Sequence, residues 1–123
     1  MAFVVRAYPL IRPDADLQKF ISALSGDNRA HTDLFYRTYA VAHESAYVQE
    51  TPQGRLLIVV TILKDDLEAA PRYQAADQKF HAWFKEQVFF LTGVDPNATP
   101  LGPTTTQVFS WSDAAAQEVA ALR

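Results

Sequence analysis

The clearest hydrophobic pattern in the chain runs from His43 to Leu63, HESAYVQETPQGRLLIVVTIL. It reads as two strands, Glu44 to Glu50 and Arg55 to Leu63, joined by Thr51-Pro52-Gln53-Gly54, where Pro presets an early turn position and Gly supplies a positive φ. A half-solvated strand alternates apolar with polar residues. In the second of these strands Leu57 and Val59 lie on one face, while Leu56, Ile58, Val60 and Ile62 lie on the other. A run that is apolar on both sides belongs to a strand covered on both sides. One cover is expected from the chain's own helices, the other from a second copy of the protein.

The flanking segments supply the rest of the plan. Phe3 to Leu10 is β-rich and ends among Pro9 and Pro13, which cannot continue a ladder. Pro13 suits the first turn of a helix, with Asp14 and Asp16 near its positive end and Leu17, Phe20, Ile21 and Leu24 forming an apolar stripe. Ser25-Gly26 supplies the stop, and Asp27 or Asn28 caps a second segment running to about Ala42 with Leu34 and Phe35 inward. The first crossover is thus a broken helix. After the third strand, Asp65 or Asp66 opens a second crossover in which Pro71 kinks or restarts the helix. Beyond Asp77, Phe80, Trp83, Phe84, Val88 and Leu91 fall on one helical stripe that Thr92-Gly93 ends. Val94 to Pro103 reads as a loop, Gln107 to Trp111 as a last strand, and Ser112 or Asp113 caps a short tail helix over 112–122.

The resulting order, β-α-β-β-α-β, predicts an α+β, ferredoxin-like domain over residues 1–123, with a four-stranded antiparallel sheet, strands one and three central and helices on one face. A bare second face would expose an apolar patch of the kind that marks an interface. Pairing two such faces predicts a homodimer through the sheet face, a dimeric α/β barrel enclosing a small cavity.

Composition narrows the class. At 123 residues, 49% of them hydrophobic and 20% charged, the chain has the profile of one soluble globular domain. A net charge of -3 with scattered Lys and Arg leaves no electrostatic footprint for nucleic acid or an anionic membrane. The strand order is shared with RNA-recognition domains, but RLLIVVTIL carries no aromatic on which a base would stack. Cysteine is absent, which excludes disulfides and thiolate chemistry and makes a reducing, cytoplasmic setting the default. No window approaches the roughly 20 apolar residues of a membrane span, and the N-terminal MAFVVRAYPLIRPD enters a strand rather than a secretory signal.

Three further features carry a resemblance: Glu44-Ser45 leading a strand with Gln49, Thr51-Pro52-Gln53-Gly54, and Trp83-Phe84-Lys85-Glu86-Gln87 followed by Thr92-Gly93-Val94-Asp95. On these the chain resembles the dimeric α/β-barrel group that includes antibiotic-biosynthesis-type monooxygenases. More narrowly it is similar to a family of small bacterial ferredoxin-like proteins of unknown function. The resemblance implies the fold and the dimer, and no chemistry. It departs at Ala46, where a large aromatic is expected before Tyr47.

Candidate chemistry rests on few residues. Arg6 and Tyr8 share one face of strand one, and Ser45, Tyr47 and Gln49 share one face of strand two. If both sets face one interior, Arg6 would fix a carboxylate or phenolate while Tyr and Gln orient it. His43 and Glu44 put an imidazole beside a carboxylate, although neighbours on a strand point to opposite faces. The candidate ligand pocket is therefore Arg6, Tyr8, His43, Glu44, Tyr47 and Gln49. His31 and His81 lie on separate helices without a second ligand, so no metal and no cofactor is expected; haem would need one axial His from the three. Lys85 and Glu86 read as solvated, and one of Phe89 and Phe90 must leave the main stripe. Two functions fit: a homodimeric domain that binds a small molecule at its sheet face, or a cofactor-independent monooxygenase or isomerase acting on a small aromatic substrate there.

Overall fold

In the computed structural model, which describes residues 2–64, 79–96 and 105–113, the elements are β1 (Ala2–Pro9), α1 (Asp14–Ser25), α2 (Arg29–Thr38), β2 (Val41–Thr51), β3 (Gly54–Leu63) and α3 (Lys79–Thr92). The helix α1 begins directly after Pro13, whose extended backbone (φ -62°, ψ 160°) hands the chain into the first turn beside Asp14 and Asp16. It stops at Gly26, whose amide donates to the Ser22 carbonyl at 2.9 Å. The glycine there answers close approach rather than a left-handed turn, since a Cβ would meet that same oxygen at 2.9 Å while φ is -103°. Across the break, the Thr32 hydroxyl donates to the Leu24 and Asn28 carbonyls and ties α2 back to α1. The reading of α2 to Ala42 overshoots: the helix ends at Thr38 because Ala40 takes a left-handed φ of 57°, turning the chain straight into β2.

The sheet has the order β1-β3-β2 and is antiparallel throughout. Its register sets Arg6 against Val59 and Val59 against Ala46, and Val4 against Thr61 and Thr61 against Glu44. Three contacts identify the helix-facing side. Leu57 packs on the cluster of Leu10, Leu17 and Leu91 with Phe20, Arg55 pairs with Asp14 of α1, and Glu44 bonds Tyr36 of α2. A second cluster, largely aromatic, joins α2 to α3: Phe35 and Tyr39 are buried, with Tyr36, Val41, Phe80 and Phe84 packed around them. The rings of Phe35 and Phe84 stack with centroids 4.5 Å apart.

The architecture corrects the expected fold. The described elements run β-α-α-β-β-α around three strands, not β-α-β-β-α-β around four. Among the described residues strand one is an edge, not a central strand. Residues 105–113 carry the alternation of a strand, but a strand exists only where its backbone groups find a ladder partner. Here the tie to β1 is the Thr105 hydroxyl donating to the Val5 carbonyl, and the segment stays irregular and exposed. Among the described residues there is no fourth strand, so the four-stranded sheet on which the expected dimeric α/β barrel is built is not formed. Ser112 and Asp113 are not helical, the rest of the expected tail helix lies outside the described residues, and so do Asp65, Asp66 and Pro71.

Candidate functional site

Charge is distributed over the sheet in an unusual way. By register, the helix-facing side carries Val4, Arg6 and Tyr8 from β1, Arg55, Leu57, Val59 and Thr61 from β3, and Glu44, Ala46, Val48 and Glu50 from β2. The opposite face carries Phe3, Val5 and Ala7, then Leu56, Ile58, Val60 and Ile62, then His43, Ser45, Tyr47 and Gln49. Every Arg and Glu of the three strands therefore lies on the helix-facing side, Arg6 and Glu44 beneath the helices and Glu50 exposed at its end, and the opposite face holds no Asp, Glu, Lys or Arg among the described residues. A sheet that simply turned one side to water would show the reverse.

Under the helices, Glu44 is the centre of a polar cluster. Its Oε1 accepts from the Tyr36 hydroxyl at 2.7 Å and its Oε2 from the Thr61 hydroxyl at 2.8 Å. Burial pushes the carboxyl above its usual range; the two hydroxyl donors, Arg6 and His43 pull it back without cancelling that effect. Tyr8 is buried beside Arg6, and burial raises its phenol to about 12, so it is a neutral donor at physiological pH. Arg6 is less comfortable. Burial lowers its pKa against the opposing pull of Tyr8 and Glu44, and its Nε is sealed from solvent with no hydrogen-bond acceptor. Leaving such a donor unmet costs about 1–3 kcal/mol. The cluster thus holds a carboxyl whose proton affinity is raised above that of a surface Glu and a guanidinium with spare donor capacity.

The six expected pocket residues divide equally across the sheet. Arg6, Tyr8 and Glu44 come together on the helix-facing side, whereas His43, Tyr47 and Gln49 lie on the open face, separated from them by the sheet itself. The single lining imagined from Arg6 and Tyr8 with Ser45, Tyr47 and Gln49 is not formed within one chain. Ala46 shares a rung with Val59 and Arg6, so the small side chain lies on the charged side and does not enlarge the open face.

Tyr36 and Thr61 belong to the cluster and were not singled out from the sequence. Their signal was available only as parity: Thr61 shares its face of β3 with Arg55, the two polar residues flanking Leu57 and Val59. Lys85 reads as solvated but is buried on α3 with His81. His81 Nδ1 lies 3.2 Å from the Tyr39 hydroxyl and its ring meets Phe35 edge-on at 4.8 Å. Burial, then Lys85, lowers the His81 pKa, and burial raises Tyr39 to about 12. His31 stacks on Phe80 at 5.7 Å, and Phe90 leaves the stripe to lie under the Arg12 guanidinium at 4.3 Å. Among the described residues no group of three or more His, Asp or Glu is placed to hold a metal ion, and no helix is long and apolar enough to cross a membrane.

Comparison with family models, with curated proteins and with solved structures finds no match for this chain.

Proposed function

We propose that this protein works as a homodimer joined through the open face of its sheet. The observation that carries the reading is the charge segregation: the face opposite the helices exposes Phe3 at 58% and Tyr47 at 56%, with Ile62 buried at its end, and among the described residues presents no Asp, Glu, Lys or Arg to a partner. Two copies meeting there bring no like charges together, which is the condition for a surface to be self-complementary across a two-fold axis. Sedimentation of the purified protein across a wide concentration range tests the reading. Wild type is expected to sediment as a dimer at micromolar concentration, and Tyr47→Asp as a folded monomer, since each dimer would bury two new carboxylates. Wild type that stays monomeric at the highest concentration refutes it.

A second reading concerns what the dimer binds. The unmet Arg6 donor beside neutral Tyr8 favours a small acidic molecule, an aromatic carboxylate or phenolate, on the helix-facing side. Benzoate and salicylate are the probes: a thermal shift present in wild type and absent in Arg6→Ala supports this site, and equal behaviour of the two proteins removes it. The monooxygenase or isomerase alternative needs Arg6, Glu44, Tyr47 and Gln49 around one void, and the register sets these in two pairs on opposite faces.

A further inference from the structure

Residues 105–113 form no helix or strand, are tied to the sheet by the Thr105 hydroxyl at the Val5 carbonyl, and carry Val108, Phe109 and Trp111 at 91%, 79% and 74% exposure. Three large apolar side chains held out in water within four residues is an arrangement that a soluble chain ordinarily covers. The tether places them at the edge strand β1, whose Val5 and Phe3 side chains form the rim of the charge-free face. The segment itself carries one ionisable residue, Asp113 at its far end, and so matches that face in character.

The area of the sheet makes the same point. Three strands spaced about 4.8 Å apart, each about 30 Å long, present a projected footprint of roughly 400 Å². A stable interface buries about 800 Å² on each partner. Aromatic side chains bury about 150–250 Å² each. Covering Phe109 and Trp111 at their observed exposure, with Val108, would thus add an area similar to that of the sheet. The face by itself is about half an interface, and the segment is the size of the missing half.

We propose that residues 105–113 act as an arm that packs against a second copy of this chain, Val108, Phe109 and Trp111 covering apolar surface of the partner beside the open sheet face. This rests on the dimer reading above and adds that each copy's arm is part of the joint. The apolar side chains of the arm are buried in the dimer and not in the monomer.

Sedimentation equilibrium on wild type and on Phe109→Ser/Trp111→Ser, with circular dichroism to confirm that both are folded, tests this alongside fluorine NMR of 5-fluorotryptophan protein. Trp83 provides an internal reference signal. The arm variant is expected to dimerise at least tenfold more weakly, and the Trp111 signal to become protected from broadening by a soluble nitroxide as wild-type concentration rises. An unchanged dimer constant with Trp111 still accessible overturns the arm and leaves the sheet-face dimer standing. Trp111 protected equally in dilute monomer also overturns it, because the arm would then lie on its own chain. A wild type that never dimerises overturns both.

Discussion

Replacing Tyr36 by Phe removes one hydroxyl and tests how the buried carboxylate is held. The two oxygens of Glu44 have separate donors, Tyr36 at 2.7 Å and Thr61 at 2.8 Å, each on a different element. A hydrogen bond to a charged group contributes about 1.5–3 kcal/mol. Tyr36→Phe should therefore lower stability at pH 7 by about 2 kcal/mol, which for a chain of this length is a fall in Tm of roughly 6–10 °C. Thr61→Val should cost somewhat less, because the valine recovers part of the loss as apolar packing. The double variant should cost less than the sum. With both donors gone, burial is opposed only by Arg6 and His43, and the carboxyl takes up a proton instead of remaining an unsolvated anion. Urea unfolding at constant m value across pH 4–8 is the assay. Losing Tyr36 lifts the folded-state pKa of Glu44 further, so the penalty should be largest at high pH and shrink as the carboxyl is protonated. A penalty that grows toward acid, or single costs that simply add, would refute the arrangement.

Three other outcomes follow from the same structure. Because burial raises Glu44 above its unfolded value, the associated stability is fully present below about pH 4.3 and is lost as pH rises through the raised value; Glu44→Gln should lack that slope in paired urea titrations. His81 has the opposite sign: its lowered pKa means stability is lost as pH falls below about 6.5, and His81→Gln should flatten that limb when unfolding is followed by Trp fluorescence. On α3, Leu91→Ala should cost about 3–4 kcal/mol, since the side chain is 1% exposed among Leu10, Leu17, Phe20 and Leu57, whereas Phe89→Ala at 54% exposure should cost under about 1 kcal/mol by calorimetry.

Much of the secondary structure was legible because it depends on neighbours in the chain. Pro13 and the two Asp residues mark the start of α1, Gly26 its end, and Thr51-Pro52-Gln53-Gly54 the turn that leaves Gly54 at φ 126° between β2 and β3. The apolar run of β3 correctly places it at the centre of the sheet. The fourth strand failed for a different reason. Alternation in Gln107–Trp111 describes what those side chains would do in a ladder, but whether β1 offers its outer edge to them is a property of the whole molecule. Lys85 shows the same limit. Helical spacing puts it near the polar side of α3, and the rotation of that helix against α2 buries it beside His81.

From its residues alone the chain marks β1, β2 and β3, a broken first crossover and an aromatic helix, because turn chemistry, caps and periodicity act over a few residues. It also determines which side chains alternate along each strand. Only the tertiary structure decides which of those alternating sets meet, since pairing register and the choice of covered face are made between segments far apart in sequence. That step brings Arg6, Tyr8 and Glu44 together with Tyr36 and Thr61 under the helices, and leaves Tyr47, Gln49 and His43 on the charge-free side.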